Sequence, residues 1–321
     1  MSIVCAGSIA YDYLMTFPGY FREHILPERL ESISLSFLVD NMVRQRGGVA
    51  PNIAYTLALL GERPVVLGTV GEDFADYRAW LEAKGVSTCG IRVIEGKYTA
   101  SFFANTDLAN NQICSFYAGA MAHAAELKLA DVADCQAELV VISPNDPRAM
   151  DLLVTECGEL GIPYVYDPSQ QVVRSDKNEL RRGVEGAYSL FANEYEYELL
   201  QKHTGLTPEQ MTARVRFMVI TLGAQGADIY ADGQVVHVPV VPPERILDPT
   251  GVGDAFRGGF LRGYRLGLDW QTCGQMGALA ATYCLEQRGT QNHSYTVEAF
   301  LARYRTHFDD QGALDALLVK P

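Results

Sequence analysis

Two kinds of hydrophobic pattern alternate along the chain. Short, nearly continuous apolar runs rich in β-branched residues recur at 3–7, 65–68, 138–142, 163–166, 189–191 and 217–221. Between them lie segments whose apolar residues fall three and four apart, at 50–60, 74–84, 147–160 and 194–202. The short runs fit strands buried on both faces, and the 3.6-residue period fits helices that cover them. Strands alternating with helices predict an α/β fold with a doubly wound, mostly parallel sheet flanked by helices. Beyond Asp254 the pattern turns helical, through Leu266, again over 270–286, and last over 297–308.

Two segments break that rhythm. One is 30–39, apolar at Ile33, Leu35 and Phe37. The other is 98–116, with a turn-like stretch at 105–111 between two strand-like arms. Both alternate at period two, so both predict strands. They read as a small separate β-sheet inserted from two places. The expected division is a large α/β domain of residues 1–10, 42–97 and 119–321, and a small β domain of 11–41 and 98–118.

Composition narrows the function classes. Lys and Arg number 26 against 39 Asp and Glu, a net charge of −13, and no basic run appears. That speaks against a nucleic-acid partner. No apolar stretch approaches the roughly 18 residues of a membrane span. The seven cysteines stand singly, without C-x-x-C or zinc spacing. Reduced thiols and a cytoplasmic setting are therefore expected.

The chemistry concentrates in Asp248-Pro249-Thr250-Gly251-Val252-Gly253-Asp254-Ala255-Phe256. Two glycines precede an aspartate and an apolar helical run. The amides of Gly251, Val252 and Gly253 would stand at an open helix N-terminus, which suits a phosphoryl group. Asp254 would orient a hydroxyl and accept its proton. A helix N-terminus is also expected to lower the pKa of Asp254. Arg257, one turn on, reads equally as a phosphate neighbour or a solvated helix residue. An ordinary helix start with an acidic first turn is the plainer reading of this stretch taken alone.

Four further constellations join it. Arg46-Gly47-Gly48-Val49-Ala50-Pro51-Asn52 lets backbone approach a ligand closely and offers the Asn52 amide to sugar hydroxyls. Asp12 follows the first strand and the turn at Ser8. Asn193-Glu194-Tyr195-Glu196 is either an acidic ion-handling motif or a capped helix start. Thr221-Leu222-Gly223-Ala224-Gln225-Gly226 is either a phosphate-side turn or a Gly-rich hairpin.

Taken together, these motifs resemble the ribokinase-like (PfkB) carbohydrate and nucleoside kinases. Pro249 and Val252 stand where that family usually has Thr and Ala. The resemblance implies a ribokinase-like fold whose small sheet is a lid over the sugar site. It implies ATP as phosphate donor, with Asn193, Thr221, Gly223 and Gly226 along the nucleotide. It also implies Mg2+, with Glu196 holding the ion through water. A monovalent cation is an open matter, because Pro249 removes an amide and fixes φ in the loop concerned.

The likeness narrows at Ser34-Leu35-Ser36-Phe37-Leu38-Val39-Asp40, Phe74-Ala75-Asp76-Tyr77-Arg78, Ser115-Phe116-Tyr117 and Asp167-Pro168-Ser169-Gln170-Gln171. These stretches resemble bacterial adenosine kinases of actinobacterial type. That implies Phe102, Phe116, Gln170 and Gln171 on the purine, and Ser8, Asp12, Ser36, Gly48 and Asn52 on the ribose. The expected reaction is transfer from ATP to the 5′-hydroxyl of adenosine, with a homodimer formed through the lid. A sugar kinase, a nucleoside kinase preferring another base, and a non-catalytic nucleoside sensor remain alternatives.

Overall fold

The computed structural model describes residues 2–26, 31–32 and 34–319. The chain runs β1 (Ser2–Ala6), β2 (Ala10–Thr16), β3 (Asn41–Gly47), α1 (Val49–Leu59), β4 (Val65–Val70), α2 (Ala75–Ala83) and β5 (Ser87–Val93). It continues with β6 (Ala100–Thr106), β7 (Gln112–Tyr117), β8 (Ala137–Ile142), α3 (Pro147–Leu160), β9 (Tyr164–Tyr166), α4 (Lys177–Glu185) and β10 (Ser189–Asn193). Then follow α5 (Glu194–Thr204), α6 (Pro208–Thr212), β11 (Phe217–Thr221), β12 (Ala227–Ala231), β13 (Gln234–Val238), α7 (Val252–Arg265), α8 (Trp270–Leu285) and α9 (Val297–His307).

Among the described residues, nine strands form one sheet in the order β13-β12-β11-β10-β9-β8-β1-β4-β5. It is parallel from β5 to β11, and the β11–β12–β13 end is antiparallel. The buried strands explain their unbroken apolar runs, because alternate side chains feed opposite cores. Ile3 and Cys5 of β1 point into the core shared with α1, α7 and α8. Val4 and Ala6 enter the core shared with α3, α4 and α5.

From β1 the chain steps to β4 and β5 on one side, then returns to β8, β9 and β10 on the other. The strand order thus reverses around β1, and a crevice outside the carboxyl ends at such a reversal is where ligands bind in open α/β sheets. No helix among the described residues is long and apolar enough to cross a membrane.

The small sheet has the order β3-β2-β6-β7. The hairpin expected over 98–116 is β6–β7. The strand expected over 30–39 is not found there: residues 34–39 are irregular, and Leu30 and Ile33 lie outside the described residues. The place beside β2 is taken instead by β3, which runs on to Gly47. Phe37 packs edge-on against Phe17 and Phe21, both at 5.0 Å, so its apolarity anchors a loop. β2 itself went unrecognised because Asp12 and two tyrosines obscure its apolar alternation.

Helices α7 and α8 pack unusually closely. A Cβ on Gly259 of α7 would stand 2.6 Å from the Met276 carbonyl oxygen, and one on Gly277 of α8 would stand 2.9 Å from that of Phe256. Absent side chains on both helices let the backbones meet. This fixes the axis of α7, the helix that carries Asp254.

Candidate active site

Gly251 caps α7 with φ 78°, a left-handed conformation that favours glycine. A Cβ there would also stand 2.8 Å from the Thr290 side chain. The loop before it is tied by Asp248, which accepts from the amides of Thr250 and Gly289, both at 2.9 Å. The Val252 amide makes a long turn bond of 3.4 Å to the Pro249 carbonyl.

Asp254 lies in the first turn, and its Oδ2 accepts from Asn52 Nδ2 at 2.8 Å. Asn52, only 4% exposed in the first turn of α1, also accepts at Oδ1 from Gln291 Nε2 at 2.7 Å. Both ends of its amide are therefore engaged within the protein, so Asn52 holds the carboxylate in place. Sequence reasoning missed Gln291, since nothing local marks it. Burial pushes Asp254 up to about 6, against the pull of Arg257 and the Asn52 hydrogen bond, and Glu196 adds to the rise. This corrects the expected lowering: loss of hydration outweighs the helix terminus.

Arg257 is not a solvated helix residue. It is 7% exposed, and its Nη2 donates to Asp167 Oδ1 at 2.6 Å while Nε lies 2.6 Å from Oδ2. Asp167 follows β9 directly and is fully buried. Burial pushes its carboxyl up to about 7 against the attraction of Arg257. Burial pulls Arg257 down, but Asp167 and Asp254 outweigh it, and the guanidinium is held above its usual range. The pair bolts α7 to the β9 loop. The only local signal was the i, i+3 spacing from Asp254, which puts Arg257 on nearly the same helix face.

The lid register places four residues in one row: Gln45, Asp12, Phe102 and Phe116. Directly paired residues share a face, so the acidic and the two aromatic candidates from three strands look the same way. Phe116 is 51% exposed there. Burial, reinforced by Asp248, pushes Asp12 up to about 6. Gly48 has φ 97° and sits where a Cβ would meet the backbone of Ser8 and Ile9. Ser8 Oγ lies 3.4 Å from the Val49 amide, so the loop after β1 abuts the start of α1. Ser36 is exposed in the irregular 34–39 stretch.

The remaining candidates follow neighbouring strands. Asn193 and Glu196 cap α5 reciprocally: Asn193 Oδ1 accepts from the Glu196 amide at 2.8 Å, and Glu196 Oε2 from the Asn193 amide at 2.9 Å. Glu196 Oε1 accepts from Ser169 Oγ at 2.9 Å, which joins it to the Asp167 loop. In that loop Gln170 is exposed and Gln171 is buried. Thr221 to Gly226 form the turn of the β11–β12 hairpin, with Gly223 and Gly226 at φ 58° and 99°. A Cβ on Gly223 would meet nothing within 4 Å, so the turn is open at Gly223, while one on Gly226 would meet the Val238 carbonyl oxygen.

Ser8, Asp167, Asn193 and Thr221 thus all stand at carboxyl ends of parallel strands, on the edge that Asp254 faces through its contacts. A nucleotide fits this edge: a glycine-capped helix start and an open glycine turn both admit phosphate. No group of three or more His, Cys, Asp or Glu suited to a metal occurs among the described residues.

A family model described as pfkB family carbohydrate kinase matches residues 9–297. A solved nucleoside kinase of Burkholderia thailandensis, in complex with inosine, is 38% identical with TM-score 0.81, covering 96% of this chain and 98% of that one. The nucleoside kinase of Methanocaldococcus jannaschii is 29% identical over 95% of this chain and 97% of its own length. A cytidine kinase of Thermococcus kodakarensis is 26% identical over 80% and 93%. With the doubly wound sheet, the small second sheet and the glycine-capped helix bearing Asp254, the match places this chain in the pfkB family of carbohydrate kinases.

Proposed function

We propose that this protein is an ATP-dependent nucleoside kinase that phosphorylates the 5′-hydroxyl of adenosine. The observation that carries the reading is Asp254, held by Asn52 at the start of α7 with its carboxyl raised to about 6. A base poised near neutrality is suited to taking a hydroxyl proton. The relatives named as nucleoside kinases support a nucleoside as acceptor.

In this reading Asp12 grips ribose hydroxyls, with Ser8, Ser36 and the backbone at Gly48 beside it. Phe102 and Phe116 stack on the purine, and Gln170 and Gln171 read its edge. Asp254 orients the 5′-hydroxyl and takes its proton as the bond from that oxygen to the γ-phosphorus forms and the bond from phosphorus to the departing ADP oxygen breaks. The amides at Gly251 to Gly253 stabilise charge on the transferring group. Asn193, Thr221, Gly223 and Gly226 would lie along the ATP, and Glu196 would hold the ion through water. Magnesium bound with ATP supplies neutralisation of the phosphate oxygens. The large domain carries the nucleotide, and the small sheet closes over the nucleoside. Two copies pair through that sheet.

A second reading, a kinase preferring inosine or cytidine, is favoured by the ligand and substrate named for two relatives. ADP release measured across adenosine, inosine, guanosine, cytidine and ribose separates these. Adenosine is expected to give the highest kcat/KM, and a higher value for another acceptor replaces the proposal with that acceptor. Asp254→Asn should keep substrate binding and lose roughly 10²–10⁴-fold in kcat. A variant that keeps more than about a tenth of the wild-type rate removes Asp254 from the role of base.

A further inference from the structure

We infer that Gln291 is a positioning residue for the base, acting through Asn52; this rests on the reading of Asp254 given above. The chain of hydrogen bonds has a forced direction. An ionised carboxylate accepts only, so Asn52 must turn its Nδ2 toward Asp254 and its Oδ1 away. That oxygen in turn requires a donor, and Gln291 Nε2 supplies it at 2.7 Å. The same nitrogen donates to the Tyr77 hydroxyl at 2.5 Å, and Tyr77 donates to the Gly47 carbonyl at 3.1 Å. A backbone carbonyl also accepts only. The NH2 of Gln291 therefore sits as a double donor between two stretches that each end in an obligate acceptor.

Asn52, Tyr77 and Gln291 are all buried, and their positions span 239 residues of sequence. Gln291 Oε1 is buried without a partner among the described residues. An unpaired buried acceptor costs stability. The side chain therefore carries a carbonyl that the fold leaves unused, and its function lies in its donor end. With that donor removed, Asn52 is free to flip its amide and present an oxygen to Asp254. The carboxylate then loses its hydrogen bond and its ionised form is harder to hold. Gly47 lies at the end of lid strand β3, so the same chain of bonds connects the root of the lid to the base.

Gln291→Leu removes the donor together with the unpaired acceptor and keeps most of the volume. The expected result is a kcat lower by about tenfold or more, KM for the nucleoside within about twofold, and an acid limb moved to higher pH. Asn52→Ala should behave alike, and the double variant should be no slower than Asn52→Ala alone. Independently of any substrate, the Asp254 carboxyl is titrated by 13C NMR, assigned with Asp254→Asn. Its midpoint should rise in Gln291→Leu. Tyr77→Phe, which keeps the ring, should raise it by less and serves if Gln291→Leu does not fold.

An unmoved Asp254 midpoint in these variants overturns the inference, as does full additivity of the Asn52 and Gln291 effects. Wild-type protein inactive on every acceptor, with the midpoint still rising, overturns the substrate reading and leaves the positioning of Asp254 by Gln291 standing.

Discussion

At the scale of single residues, the site couples chemistry to pH through carboxyls that burial keeps partly protonated. Asp254 and Asp12 are both raised to about 6, so catalysis and sugar binding share one window. Raised acids are ionised above that window and protonated below it. The kcat/KM profile should therefore fall below pH 6 with a limb steeper than one proton, and Asp12→Asn should reduce it to a one-proton slope. A pH series on both proteins checks this. His293 acts on stability instead. It is 1% exposed, both ring nitrogens lack partners among the described residues, and burial lowers it to about 4. The unfolded chain binds this proton from about 6.5 downward while the folded one does not, so stability falls between pH 6.5 and 4. The loss attributable to His293 is about 3 kcal/mol. The difference between wild type and His293→Leu in denaturant titrations at pH 7 and pH 4.5 should expose most of it. Asp254, Gly251 and Gly48 were legible in the sequence because backbone conformation and chemistry mark them locally. Arg257 and Gln291 were not, since their partners Asp167 and Asn52 are set by tertiary packing alone.

At the scale of elements, period decided what was readable. Strands buried on both faces, such as β1 and β11, announce themselves as apolar runs, and α3 and α7 by spacing. The strands passed over were β2, β3, β5, β12 and β13. β3 exposes Met42 and Val43 beside Asn41 and Arg44, so neither of its faces reads as apolar, and β13, at the edge of the sheet, buries only Val238. The segment 34–39 had the right alternation but forms no ladder: Leu35 is exposed, and Phe37 is held by the rings of Phe17 and Phe21. Alternation marks apolar positions, whereas a strand also requires backbone pairing along its length. The α7–α8 contact offers a sharper test. Gly259→Ala forces a methyl group against the Met276 carbonyl oxygen and should destabilise the protein by about 1–3 kcal/mol. Thermal unfolding should show a lower Tm. Activity should fall as well, because the displaced axis carries Asp254. An unchanged Tm would mean that the two helices separate without cost.

At the scale of the molecule, the small sheet leaves its edge strands β3 and β7 unpaired among the described residues and exposes Met42, Val43, Phe103 and Ile113. Open edges beside apolar side chains favour pairing with a second copy. Light scattering at micromolar concentration should give about twice the mass of one chain. Met42→Lys with Ile113→Lys should return the mass to that of a single chain. A wild-type monomer with full activity would leave each lid to close its own site. The winding of the large sheet has one more consequence, for biosynthesis. Central strand β1 is synthesised well before its neighbour β8, which begins at Ala137. Asn52 and Gln291 are 239 positions apart. At about 5–20 residues per second, roughly 12–48 s separate their synthesis. Within that interval the earlier strands wait for the partners that complete the sheet, and Asp254 emerges before the Gln291 that bonds Asn52. The large sheet, whose last strand ends at Val238, can therefore be complete on a nascent chain before Gln291 closes the chain of bonds that holds Asp254.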